Sequence, residues 1–184
     1  MGVVLKFCAK LRQKSLQRKF PSIYLVFQRT STTFVEKPEP MTEDEKYMKE
    51  ALAEARKALQ RDEIPIGAVV VANGRIIGRG HNLTETLHDV TAHAEMQAIT
   101  AAAETINGKY LDKCALYVTV EPCVMCAGAI GWSQLGKLVF GATDDKRGYQ
   151  KLAPAALHPK CQVISGVLAD ECAQLMKDFF KKKR

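Results

Sequence analysis

The stretch Ala115-Leu-Tyr-Val-Thr-Val-Glu-Pro-Cys-Val-Met-Cys126 changes character half-way along its length. Residues 115–120 are β-branched, aromatic and aliphatic, the composition of a buried strand. Pro122 then suits the first position of a helix, because the N–H it lacks has no intrahelical partner there. In a helix that begins at this point, Cys123 and Cys126 are three residues apart and share one face. A helix N-terminus also favours the thiolate form of cysteine. The stretch therefore reads as a strand that delivers two thiolates to one spot, the first half of an α/β unit.

Thirty residues upstream a second string has the same design. Val90-Thr91 precedes an alanine-rich, helix-favouring run from Ala92 to about Thr105, which places His93 and Glu95 in its first turn. The two strings supply one imidazole, two thiolates and one carboxylate. A structural zinc site closes its tetrahedron with four protein groups, whereas a catalytic site leaves the fourth position to water. His93, Cys123 and Cys126 are thus candidate zinc ligands, and Glu95 is the group placed to move protons for a water whose pKa zinc lowers to about 7. Two other readings of the residues stand beside this one. An isolated Cys-x-x-Cys after a strand also suits a redox pair. A closed structural zinc needs a fourth ligand, and Cys8, Cys114, Cys161 and Cys172 are scattered singly.

The same periodicities organise the rest of the chain. Thr42 and Glu45 form a capping box, followed by Met48, Leu52, Ala55 and Leu59 at helical spacing. Ile66 to Val71, Asn73-Gly74 and Ile76-Ile77 predict a β-hairpin with a two-residue turn. Lys137–Gly141 and Gln162–Ser165 predict two further strands, separated by about twenty residues, enough for a parallel crossover. Asp170 to Lys182 predicts a closing helix. The order α-β-β-α-β-α-β-β-α implies an α/β fold, a mixed sheet sandwiched by helices.

Charge divides the chain unequally. Residues 1–40 carry eight Lys/Arg against Glu36 and Glu39, whereas residues 41–184 carry nineteen Lys/Arg against eighteen Asp/Glu. Bulk charge is thus no argument that the second region binds nucleic acid; only local clusters can be one. The division predicts a basic extension over 1–40 and one folded domain over 41–184. A basic, acid-poor start suits a transit peptide, a flexible RNA-binding arm, or an inert extension ahead of Met41. Six cysteines in no disulfide-like pattern point to a reducing compartment, and no apolar run approaches the ~18 residues of a membrane span. The expected location is cytoplasmic, or organellar if residues 1–40 are a transit peptide.

His-x-Glu followed by Pro-Cys-x-x-Cys is the known signature of the zinc deaminases that act on flipped-out bases. Residues 42–184 resemble the tRNA-specific adenosine deaminases in particular. The likeness rests on Ile64-Pro-Ile-Gly-Ala68, Gly80-His-Asn82, Thr91-Ala-His-Ala-Glu95, Glu121-Pro-Cys-Val-Met-Cys-Ala-Gly128, Phe140-Gly-Ala142 with Asp144, and Ala169-Asp-Glu-Cys172 with Asp178-Phe-Phe180. It implies a three-layer α/β/α, cytidine deaminase-like domain with a mixed five-stranded sheet. It further implies a homodimer with one zinc per subunit, acting on the wobble adenosine of a tRNA anticodon stem-loop. By the same resemblance Glu95 carries protons, Asn82 and the backbone at Ala94 hold the base, and Pro65 lines the pocket. Phe179-Phe180 and Lys181–Arg184 set aromatics beside four cations, suited to stacking on loop bases and gripping phosphate. One of the two phenylalanines is expected to pack and Phe180 to be available to RNA. Lys146-Arg147 is a second candidate RNA contact. Trp132 is reminiscent of the guanine deaminases, which makes a free-base deaminase the rival enzyme, although the residue reads most simply as core. An RNA-binding module with a structural zinc is the alternative of another class, in which Glu95 would not matter for ammonia release.

Overall fold

A computed structural model of the chain describes residues 40–184; the extension expected over 1–40 lies, but for Pro40, outside them. Helix α1 (Glu43–Gln60) opens on the expected capping box, Glu45 N donating to Thr42 Oγ1 at 3.2 Å and Thr42 N to Glu45 Oε2 at 2.8 Å. Strands β1 (Gly67–Ala72) and β2 (Arg75–His81) form the hairpin. Its turn residues Asn73 and Gly74 have φ of 48° and 72°, the left-handed pair that a twisted two-residue turn requires. Helix α2 (Ala94–Ile106), strand β3 (Cys114–Val120) and helix α3 (Val124–Trp132) follow. Strand β4 (Lys137–Ala142), the short helix α4 (Tyr149–Leu152), strand β5 (Gln162–Ser165) and helix α5 (Ala169–Lys182) complete the chain.

The five strands lie in the order β2-β1-β3-β4-β5, antiparallel across β2, β1 and β3 and parallel across β3, β4 and β5. This is the expected mixed sheet. Alternation sends Ala68, Val70, Leu116, Val118, Leu138 and Phe140 to one face, against Ala94, Ala98 and Ala102 of α2 and Ala127 and Ile130 of α3. Val69, Val71, Tyr117 and Val139 face the other way, against Met48, Ala51 and Leu52 of α1 and Cys172 of α5. Three layers result.

Two glycines set how closely α2 lies on the sheet. A Cβ at Gly80 would stand 2.2 Å from Ala94 O, and one at Gly78 would stand 2.3 Å from Ala98 O. With no side chain at either position, the backbone of α2 seats directly on β2. That fixes where the first turn of α2 begins.

Three expectations are corrected. Both site helices begin later than their sequences suggest: His93 and Cys123 occupy the capping positions, and Pro122 precedes the cap. The β4–β5 crossover contains α4, whose four residues are too few to give a periodic signal. Trp132 is not core but 86% exposed. It lies two residues past Ile130, which points inward, so the 100° turn per residue swings it to the outer face of α3 with Val124 and Gly128.

Candidate active site

The carboxyl end of β3 meets the N-termini of α2 and α3, the edge at which open α/β sheets bind ligands. At the capping position of each helix a Ser, Thr or Asp would normally bond the free backbone N–H groups, a contribution of about 1 kcal/mol. His93 and Cys123 make no such bond. Their side chains turn toward each other instead. His93 Nδ1 lies 3.7 Å from Cys123 Sγ and 3.5 Å from Cys126 Sγ, and the three atoms all fall within 4.8 Å of one another.

These separations test whether a metal fits. Zinc bonds of about 2.0 Å to nitrogen and 2.3 Å to sulfur, opened at the tetrahedral angle, set N and S donors about 3.6 Å apart. The two N···S distances straddle that edge, so the imidazole and both thiols stand within reach of one zinc ion. The thiols are strongly coupled. Hydrogen bonds from Cys126 and His93 outweigh burial and bring the Cys123 thiol down to about 4, while the same partnership and burial push Cys126 up. The site already favours a thiolate.

Glu95, in the first turn of α2, is 3% exposed. Its Oε2 is buried without a hydrogen-bond partner, and burial, the largest influence on it, raises its pKa. A buried carboxyl group with one oxygen left free of hydrogen bonds suits a carrier of protons more than a structural contact.

The expected base-binding residues are tied to this centre through the backbone. Leu83 N donates to Ala92 O at 3.0 Å, which joins the segment after β2 to the one that carries His93. Asn82 N donates to Ile66 O at 3.1 Å, which joins it to the Pro65 loop. Asn82, Pro65 and Ala94 are all buried. Phe180 is separate from them on α5, 45% exposed, while Phe179 packs inward at 6% and meets it edge-on at 5.3 Å between ring centroids. Lys183 bridges the end of α5 to Asp62 and lies 5.5 Å over the Phe179 ring. Lys146 and Arg147 are exposed, their backbone N–H groups held by Asp144 Oδ1.

Two buried carboxylates escape a reading of the sequence. Glu121, beside Pro122, accepts from Asp144 N and Gln150 N, each at 3.0 Å, and so ties the 143–150 segment to the turn that carries Cys123. Glu63, just before the Ile64-Pro-Ile-Gly-Ala68 stretch, is fully buried and bonded to Asn82. For Glu63 the only signal is a lone acidic residue abutting a motif, and Glu121, though it opens a quoted stretch, carries nothing in its sequence that names its partners.

Residues 42–184 match the MafB19-like deaminase family. A tRNA-specific adenosine deaminase of Bacillus subtilis (strain 168) is 47% identical over 149 residues, a match spanning 78% of this chain and 92% of that protein. A structure from a study of A-to-I editing by tRNA:A34 deaminases at the wobble position of transfer RNA is 43% identical. It aligns with a TM-score of 0.66 over 71% of this chain and 98% of its own. Guanine deaminase from Nitrosomonas europaea aligns with a TM-score of 0.68 at 25% identity, over 78% of this chain and 88% of its own. With such identity along nearly the full length of these relatives, the chain belongs to the tRNA-specific adenosine deaminases, within the MafB19-like deaminase family.

Proposed function

We propose that this chain hydrolyses the wobble adenosine of a tRNA anticodon stem-loop to inosine and ammonia, with one zinc ion per subunit. The observation that carries this reading is the meeting of three donor atoms, with both N···S distances near a tetrahedral edge, beside a buried carboxylate with an unpartnered oxygen. His93 Nδ1, Cys123 Sγ and Cys126 Sγ would hold the zinc, which when bound supplies an activated water for hydrolysis. Glu95 would take a proton from the attacking water and pass it to N1 of the base, then carry the second proton, from the new hydroxyl on C6, to the amine as the C6–N bond breaks. Asn82 and the backbone at Ala94 hold the base, with Pro65 as wall. An anticodon loop suits this chemistry because unstacking a loop base costs only a few kcal/mol.

Phe180 stacks on a loop base and the C-terminal cations meet phosphate. Val124 and Trp132, both exposed on one side of α3 with the small Gly128 between them, form an apolar surface that supports a homodimer. The absence of any disulfide among the described residues fits a reducing compartment, the cytoplasm, or an organelle if residues 1–40 are a transit peptide. No helix among the described residues is long and apolar enough to cross a membrane.

The test is incubation with total tRNA and, separately, with free guanine, cytidine and adenosine, scoring inosine in tRNA against free ammonia. Inosine at the wobble position with no ammonia from guanine is expected. Ammonia from guanine without inosine in tRNA overturns the reading in favour of a guanine deaminase.

A further inference from the structure

Glu63 lies in the loop between α1 and β1 with none of its surface exposed, and no cation pairs with it among the described residues. A charge buried without a counter-ion persists only when hydrogen bonds replace its hydration. Here they do. Oε1 accepts from Thr86 N at 2.7 Å. Oε2 accepts from Asn82 Nδ2 at 3.1 Å, Thr84 Oγ1 at 3.3 Å and Glu85 N at 3.3 Å. Burial alone would raise its pKa, and the hydrogen bonds from Thr86, Glu85 and Thr84 hold it below the ordinary value, so the group is an anion that only accepts.

That restriction decides how Asn82 sits. An amide has a donor end and an acceptor end of nearly equal shape, and only the donor end can face an acceptor-only carboxylate. Thr84 repeats the selection. Its hydroxyl donates to Glu63, which leaves its oxygen to accept from Asn82 Nδ2 at 3.1 Å. Carboxylate, hydroxyl and amide form a closed triangle around one nitrogen. A glutamine keeps one acceptor oxygen only: turned to accept from Thr86 N, it sets its own NH2 against Asn82 and no longer selects the donor end of that amide.

We propose that Glu63 is a positioning residue for the deaminase reaction: it sets the rotamer and facing of the Asn82 amide, and through it the orientation of the base. The inference rests on Asn82 being the base-binding residue. The bland account of the same contacts is a staple that holds the 82–86 turn and acts on no substrate group.

A double-mutant cycle on the zinc-loaded enzyme separates the two. Glu63→Gln, Asn82→Ala and the double variant are compared for kcat and KM on a tRNA substrate, with zinc content and Tm measured alongside. Glu63→Gln should lower kcat/KM by about tenfold or more, the size of one charge-assisted hydrogen bond. In the Asn82→Ala background it should lower it no further. Equal losses in both backgrounds overturn the proposal, because a staple acts whether or not an amide is present. An Asn82→Ala variant with unchanged kinetics overturns the base-binding reading itself, and the positioning role with it. Should Glu63→Gln fail to fold, Thr84→Val enters the same cycle from the half-buried rim of the network. It should cost about threefold alone, the worth of one neutral hydrogen bond, and nothing beside Asn82→Ala. An additive Thr84→Val loss overturns the proposal equally.

Discussion

Glu63 and Glu95 are the same residue, both buried, at the same end of the sheet, and their surroundings drive them in opposite directions. Four donors converge on Glu63, two of them backbone N–H groups, and hold it ionised. Glu95 has one buried oxygen with no partner, and burial raises its pKa. The first carboxylate is spent on geometry and the second is left free to exchange a proton. Burial does not distinguish them; hydrogen-bond satisfaction does.

The largest effect expected from breaking this contrast is at Glu95. Glu95→Gln keeps the shape and removes the proposed proton carrier, so turnover should fall by at least ~10²–10⁴-fold. Zinc content should stay at the wild-type level, because Glu95 is not among the three converging donors. Stability should not fall, since the substitution replaces a poorly solvated carboxylate rather than a satisfied one. Metal analysis, a deamination assay and a melting curve check all three. Loss of zinc in the variant would make Glu95 a ligand and end its assignment as proton carrier. His93→Ala and Cys123→Ala supply the counterpart, in which zinc and activity should disappear together.

At Glu63 the expected ranking of stability and chemistry reverses. Glu63→Ala leaves the N–H groups of Glu85 and Thr86 and the Asn82 amide without their acceptor, a loss of about 2–4 kcal/mol of folding stability by denaturant titration. Acid should expose the same network. A carboxyl held below its ordinary value of 4.5 contributes stability in full above that pH and loses it as pH falls through the folded value. The stability lead of wild type over Glu63→Gln should therefore narrow below about pH 4.5. A constant lead across that range would mean the carboxylate is not ionised by the network.

Most of the frame was legible because it follows from local rules. The 115–126 stretch carries strand composition, a proline and two thiols in one reading. The hairpin turn is legible because two successive left-handed residues call for Asn-Gly. The failures share a cause. Trp132 is large and apolar, and nothing local tells the side of α3 on which a partner could lie from the side on which the sheet does. The roles of Glu63 and Glu121 are legible only once the chain is folded, because their partners lie some twenty or more residues away and include backbone N–H groups with no sequence signature. Glu95 was legible through its spacing to His93.

The smallest and most discriminating effect lies at the end of α5, where Lys183 joins Asp62, the neighbour of Glu63. Deleting Lys181–Arg184 should weaken tRNA binding and flatten its salt dependence, by about 0.7–0.9 in the log–log slope for each phosphate no longer neutralised. Phe180→Ala should cost roughly 1–3 kcal/mol of binding if a base stacks there. The deletion has a second route to the active site, however, because removing Lys183 also releases Asp62 and with it the loop that carries Glu63. Asp62→Ala separates the routes. It breaks the same bridge and leaves every cation in place. Both partners are largely open to solvent, and such surface bridges contribute about 0–1 kcal/mol. If the tail acts by gripping phosphate, Asp62→Ala should leave affinity within about twofold of wild type and the salt slope unchanged. If instead Asp62→Ala reproduces the loss seen on deletion, at an unaltered salt slope, the tail works by bracing the Glu63 loop, and the two ends of the comparison are parts of one device.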